Sequence, residues 1–370
     1  MTPGARVAAA IEILDDVITS AREGGAAADV LIARYFKTRR YAGSKDRRAV
    51  REIVYDCIRG LDEIPANGRA AIMGAQPSDT LLFTGDGHAP APVDPSETPA
   101  TRGLAPQWLR ARLGERADAD LLMRAGIDLR VNALKAEPDQ LLHLGSRIDG
   151  FPHALAGAPA DISRRPEYLS GLVEVQDRGS QRIAAICAAS AGMTVVDLCA
   201  GGGGKALALA ADMRNDGVLL ASDTDWRRLG ELPARAERAG ASIIAPIRLD
   251  PGAEIEALAQ WRGRADIVLV DAPCSGTGTW RRNPEAKWRL TADRLSQLTI
   301  LQARLMHVAA ALVKPGGALI YAVCSLLPEE GSAQADGFDS SGFSEVSRKL
   351  LTPKTDGSDG FFIARFEKAC

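Results

Sequence analysis

Hydrophobic positions along the first sixty residues recur at helical spacing. Val7, Ala10, Ile11, Leu14, Val17 and Ile18 fall at i, i+3, i+4 and i+7, which predicts one buried helix face. Leu31, Ile32, Tyr35 and Phe36 predict a second helix. Val50, Ile53, Val54, Cys57 and Ile58 predict a third, with Ser44 as its N-cap. Residues 76–103 lose this pattern. Pro77, Pro90, Pro92, Pro95 and Pro99 sit among Gly, Asp and Ser, as expected of a linker. Between Leu104 and Leu172 the pattern is mixed. Helical stretches are predicted near Trp108–Leu113 and Asp118–Ala125, and a short strand over Leu129–Leu134.

From about Gly171 onward, short continuous apolar runs alternate with helical stretches. The runs Thr194–Leu198, Val218–Ser222, Ile243–Ile247, Ile267–Val270 and Ala318–Val323 predict buried parallel strands. Thr291–Val313 predicts a helix, and Lys314-Pro315-Gly316-Gly317 its stop and turn. The alternation predicts an α/β, Rossmann-like doubly wound sheet with ligands at the carboxyl ends of its strands. The domain reading is therefore 1–75 helical, 76–103 Pro-rich linker, 104–170 small α/β subdomain and 171–370 the Rossmann-like domain.

Composition changes this picture little. The chain has 370 residues, 46% of them hydrophobic, and a formal net charge of −2. It is no polycation, so nucleic-acid contact must come from local patches. Arg34, Lys37, Arg39, Arg40, Lys45, Arg47 and Arg48 form one such cluster, which reads equally as a phosphate-binding patch or a solvated helix surface. No signal peptide or membrane-length apolar run is evident, so the expected location is cytoplasmic. Six cysteines and four histidines show no metal-ligand spacing, so no metal is expected. Nothing demands more than a monomer.

The chemistry collects at the predicted strand ends. The first strand runs into Cys199-Ala200-Gly201-Gly202-Gly203-Gly204-Lys205, a loop whose glycines let backbone approach a ligand. A Walker loop would need Gly at Cys199 and Ser or Thr at Ala206, so that reading fails. A dinucleotide fingerprint matches at Gly201, Gly203 and Ala206, with Asp223 placed for a ribose. S-adenosylmethionine would use the same acid. The fourth strand ends Asp271-Ala272-Pro273-Cys274-Ser275-Gly276-Thr277-Gly278 and the fifth ends Val323-Cys324-Ser325. Two thiols beside a cofactor loop have no use in a dehydrogenase. They suit carbon-5 methylation of a pyrimidine, where a thiolate adds at carbon-6 to activate the ring and a base later removes the carbon-5 proton. Asp271 is placed to carry charge developing on the base.

These segments, in this order, resemble the Sun/RsmB-type RNA cytosine-5 methyltransferases. Val175–Ser180 is similar to the family's QDxxS lead-in and Asp197–Lys205 to its DxCAAPGGKT loop. Asp271–Gly278 is similar to its DAPCSGxG signature, Cys324-Ser325 to its TCS element and Asp359-Gly360-Phe361-Phe362 to its closing DGFF. The resemblance covers roughly the last 270 residues and implies S-adenosylmethionine as cofactor. It implies Cys324 as nucleophile, Cys274 for proton removal and product release, and Asp271 beside cofactor and base. Cys199 to Lys205 would cradle the methionine part, Asp223 the ribose and Asp250 the adenine, with Arg228 supporting. Arg130-Val131-Asn132 resembles the LRxN element of the family's small RNA-binding subdomain. Ser44–Arg48 through Ile58–Leu61 resembles part of a NusB-like RNA-binding domain, abbreviated here, which implies 16S ribosomal RNA as the partner. The sequence departs from the family at Gly201-Gly202, where Ala-Pro is usual, at Ala206 and Val323, where Thr is usual, and in Glu329–Ser332, which only partly matches an ENE stretch. Those loop changes keep open a non-catalytic RNA-binding or ribosome-assembly protein, and the match at Gly201, Gly203 and Ala206 keeps open a nicotinamide-dependent oxidoreductase.

Overall fold

The computed structural model describes residues 1–370. The chain forms two units, Met1–Met123 with Thr279–Ala292, and Arg124–Gly278 with Asp293–Cys370. This division differs from four consecutive segments. Residues 104–123 belong with the N-terminal helices, and a fourteen-residue excursion from the second unit joins them.

In the first unit α1 (Pro3–Glu23), α2 (Ala28–Thr38), α3 (Ser44–Gly60), α4 (Gly68–Ala75) and α5 (Gln107–Leu113) are helical. The predicted apolar faces form one core: Val7, Ala10, Leu14, Val17, Ile32, Phe36, Val50, Val54, Cys57 and Ile58 pack together with Ile13, Ile72 and Trp288. Gly43, not Ser44, is the N-cap of α3, and it makes no side-chain capping bond. Residues 76–103 are not a loose linker. Pro77–Leu82 forms a 3₁₀ turn, and Arg69 donates to Glu97 and to the carbonyls of Ala91 and Pro92. The stretch before Arg102 runs against α4 because Gly74 has no side chain. A Cβ there would lie 2.1 Å from the Ala100 oxygen.

The second unit begins with a four-stranded antiparallel sheet. Its strands are β1 (Asp128–Val131), β2 (Ser146–Ile148), β3 (Phe151–Ala156) and β4 (Val173–Val175), in the order β2-β3-β1-β4. The larger sheet contains β5 (Thr194–Asp197), β6 (Val218–Asp223), β7 (Ile244–Arg248), β8 (Ala265–Asp271), β9 (Val313–Val323), β10 (Phe343–Leu351) and β11 (Phe361–Lys368). Its order is β10-β11-β9-β8-β5-β6-β7, with β5 to β9 parallel and the last two antiparallel. Successive side chains leave opposite faces of a strand. Val195, Leu219, Ile267 and Ile320 thus enter one core, and their neighbours Val196, Leu220, Val268 and Leu319 enter the other. Burial on both faces is why these strands read as unbroken apolar runs.

The predicted strands are all present, with shifted ends. Lys314–Gly317 is not a free turn. It lies inside β9, which begins at Val313 and takes up the irregularity between Ala265 and Ile267 of β8. The helix before it spans Ala292–Leu312. Asp118–Ala125 reduces to a 3₁₀ turn at Ala119–Leu122. The strand order reverses at β5, between β6 and β8, and the crevice for ligands in such sheets lies there, beyond the carboxyl ends. No helix is long and apolar enough to cross a membrane.

Candidate active site

The glycine loop leaves β5 and opens the helix Gly204–Asp212, with Gly203 as its N-cap. Gly201 and Gly203 have φ of +54° and +83°, where side chains are strained. Space is also lacking: a Cβ at Gly203 would meet Leu232 Cδ1 at 2.1 Å, and one at Gly201 would meet Arg228 Nη2 at 2.6 Å. Arg228 therefore lies directly over the loop. Asp223, at the end of β6, accepts from the Gly201 amide at 2.7 Å and from the Asp225 amide at 2.7 Å. Asp250 follows β7, whose exit is tied to β6 by the Leu249 amide donating to the Asp223 carbonyl. Its carboxylate is exposed, 4.0 Å from Arg248.

Lys205 reaches back from the helix and donates to Asp271 Oδ2 at 2.6 Å. Burial opposes the lysine's charge, but the Asp271 carboxylate outweighs it, and the Lys205 pKa is raised. Asp197 lies beneath this pair, and burial followed by the Asp271 charge pushes it up to about 7. Two residues that sequence reasoning missed steady the loop. Arg235 donates to the Gly202 carbonyl at 2.5 Å and to Glu174 at 2.9 Å, and the buried Glu174 also pairs with Arg238. Gly201-Gly202, with no side chains of its own to fix it, is thus held from outside. Nothing in the sequence links Glu174 to Arg235, since they are 61 positions apart.

The two thiols meet. Parallel pairing sets Asp271 of β8 beside Ala322 of β9. The chain then continues three residues to Cys274 and two to Cys324, whose sulfurs lie 3.2 Å apart, with both thiols free. The bond to Cys324, then burial, pushes the Cys274 thiol well up. Either sulfur can donate in this contact.

Glu330 fixes this arrangement. Fully buried, it accepts from the Ser275 amide at 2.8 Å, Gln302 Nε2 at 3.0 Å, Ser325 Oγ at 2.6 Å and the Ser275 hydroxyl. One carboxylate thus joins the residue after Cys274 to the residue after Cys324. Its only sequence signal was a partial ENE match. A second tie runs from the Gly278 amide to the Cys324 carbonyl at 3.1 Å. The DGFF segment closes on it: a Cβ at Gly278 would sit 2.0 Å from the Gly360 oxygen.

Arg130 and Asn132 are internal ties. Arg130 donates to Gln176 at 2.7 Å, and burial lowers its pKa to about 10. Asn132 donates to the carbonyls of Gly171 and Ala239. Both are buried, so neither side chain presents an RNA-facing surface. No group of three or more His, Cys, Asp or Glu is arranged to hold a metal.

The family profile described as 16S rRNA methyltransferase RsmB/F matches residues 184–367. The ribosomal RNA small subunit methyltransferase B of Salmonella arizonae is 33% identical over 298 residues, covering 73% of this chain and 68% of that protein. The protein of the same name from Escherichia coli is 33% identical over 294 residues, covering 72% and 67%. The solved structure of PH0851 matches 100% of this chain and 99% of its own at a TM-score of 0.77 and 24% identity, a likeness of fold. A methyltransferase homolog protein from Pyrococcus horikoshii matches 70% of this chain and 94% of its own, at a TM-score of 0.61 and 27% identity. Fold, loop and relatives define an S-adenosylmethionine-dependent methyltransferase. The chain belongs to the RsmB/F family of 16S rRNA methyltransferases.

Proposed function

We propose that this protein methylates carbon-5 of a cytosine in 16S ribosomal RNA through a covalent adduct on Cys324. The observation that carries the proposal is the 3.2 Å approach of two free thiols at adjacent strand ends. A thiolate at Cys324 is the form that adds to carbon-6 of the ring. The residues that would hold the cofactor are Cys199, Ala200, the bare backbone of Gly201–Gly204, Lys205, Asp223, Arg228 and Asp250. The narrow glycine loop and the carboxylate at its edge fit a sulfonium amino acid joined to a ribose. When bound, S-adenosylmethionine supplies an electrophilic methyl group.

The order of proton movements follows from the thiol pair. The largest cause holding the proton on Cys274 is its bond to Cys324. Once Cys324 sulfur is bonded to carbon, that cause is gone, and Cys274 becomes the better acid. It is then suited to give its proton to solvent and, as the thiolate, to take the one on carbon-5, whose bonding electrons re-form the ring double bond as Cys324 leaves. Asp271, oriented by Lys205, is the carboxylate for the base's polar edge. The exposed Arg34, Lys37, Arg40, Lys45, Arg47 and Arg48 offer the N-terminal unit a phosphate-binding surface. The proposal is of a monomeric enzyme working on RNA in the cytoplasm.

Incubating the protein with 16S rRNA lacking modification and with S-adenosylmethionine should yield 5-methylcytidine on nucleoside mass spectrometry. RNA that binds but gains no methyl group would favour the non-catalytic alternative. Asp223→Ala should weaken S-adenosylmethionine binding about 10–100-fold in calorimetry, the loss expected for hydrogen bonds to a charged group.

A further inference from the structure

Asp250 stands two residues past the end of β7, on a turn in which Gly252 takes a φ of +89°. Its carboxylate is exposed at the carboxyl end of the sheet, next to the strand that carries Asp223. Two backbone bonds shape the turn. The Leu249 amide donates to the Asp223 carbonyl at 2.9 Å, and the Ala253 amide to the Asp250 carbonyl at 3.0 Å. The third tie is a side chain: Glu254 reaches back and accepts from the Gly252 amide at 3.0 Å.

Glu254 is only 2% exposed, and a carboxylate so buried needs a cation or several donors. Arg304 meets the need. It donates through Nη1 to Oε2 at 2.6 Å and through Nη2 to Oε1 at 2.8 Å. Two parallel bonds fix the direction of the carboxylate as well as its charge. The Arg304 guanidinium holds the Glu254 carboxyl below the usual carboxylate range. Arg304 itself projects from the helix Ala292–Leu312, whose Leu305, Met306 and Ala309 share a core with Val196 and Val268 of the sheet. The pair also borders the cofactor loop. Burial first, then the charges of Asp197, Asp223, Asp271 and Glu254, push the Cys199 thiol well up.

We propose that Glu254 and Arg304 are the positioning pair for the nucleoside end of the cofactor: through Glu254, Arg304 holds the turn that presents Asp250 to S-adenosylmethionine. The inference rests on the placement of Asp250 in the cofactor site and not on the chemistry at Cys324. Neither residue touches the cofactor. Their part is to keep an exposed carboxylate in one place on a turn that contains a glycine, so that little ordering is left to be done when the cofactor binds.

Calorimetric binding of S-adenosylmethionine to the full-length chain tests this without RNA. Asp250→Ala and Arg304→Met should each weaken binding about tenfold. The double variant should also lose about tenfold rather than about a hundredfold, because the arginine acts only through the turn that carries Asp250. A general loosening of the fold would instead multiply with the loss of Asp250. Arg304→Lys keeps the charge but not the two-pronged geometry, and it should recover part of the affinity. Should Arg304→Met fail to fold with its carboxylate left unpaired, Glu254→Gln takes its place. It keeps the shape, gives up the charge, and should weaken binding by a factor that Asp250→Ala does not add to. Wild-type affinity in the folded variants, no loss in Asp250→Ala, or losses that multiply in the double variant would each overturn the proposal. A protein that behaves as expected here and yet methylates no cytosine would refute the proposed function alone.

Discussion

Cys324→Ala should abolish methyl transfer while S-adenosylmethionine still binds. The expected fall is about four orders of magnitude or more, the scale on which loss of an attacking nucleophile acts. Carbon-5 of cytosine is too weak a nucleophile without covalent activation at carbon-6, and no other group is positioned to replace the Cys324 sulfur. Cys274 lies 3.2 Å away, but its thiol is pushed well up by its bond to Cys324 and by burial, which disfavours the thiolate. Without Cys324 the largest of those causes disappears, so a small residual activity through Cys274 is the one exception to watch. It would be recognised by its loss in the double Ala variant. Folding should be little affected, because Cys324 is only partly buried.

The second large effect is expected at Glu330. Glu330→Ala would leave the Ser275 amide without its acceptor and take one acceptor from two serine hydroxyls and Gln302 Nε2, which keep Thr277 and the Pro273 carbonyl. An unsatisfied buried donor costs about 1–3 kcal/mol and the cavity left by the side chain adds to it, so a loss of about 3 kcal/mol is expected. Urea unfolding would measure it. Glu330→Gln separates shape from charge. Its amide fills the same space but presents one acceptor where the carboxylate has two, and its NH₂ meets donors. It should fold, with loss of activity outrunning loss of stability, because the loops carrying Cys274 and Cys324 are no longer pinned together. Equal and small effects of both substitutions would show that the loops are held by other ties, such as the Gly278 amide on the Cys324 carbonyl.

The sheet and its chemical residues were legible because two-sided burial writes unbroken apolar runs and because function concentrates where those runs stop. Val195-Val196 and Ile267–Val270 gave both strand and face, and Cys274 and Cys324 followed at their ends. What was not legible was everything fixed by distant partners. Glu330 read as a weak motif match, since its four donors come from three separate segments. Arg235 and Glu174 show no common pattern, yet together they hold the Gly202 carbonyl. Arg130 and Asn132 are polar residues that the chain buries, satisfied by carbonyls and an amide that periodicity does not reveal. The strands β10 and β11 were missed as well. In β10 only the last residue is buried, so no apolar run marks it. The compact units divide elsewhere than at 104 for a related reason. The mixed pattern there does not reveal that the Leu104 carbonyl accepts from Lys287, 183 positions away.

The claim at the centre is that Cys324 bonds to the base and Cys274 is needed to release it. Cys274→Ala protein purified from growing cells and run on a denaturing gel tests it most directly. The account predicts a slower band containing RNA, removed by ribonuclease and absent when Cys324→Ala is added. A Cys274→Ala protein that turns over RNA freely, with no trapped adduct, would contradict it.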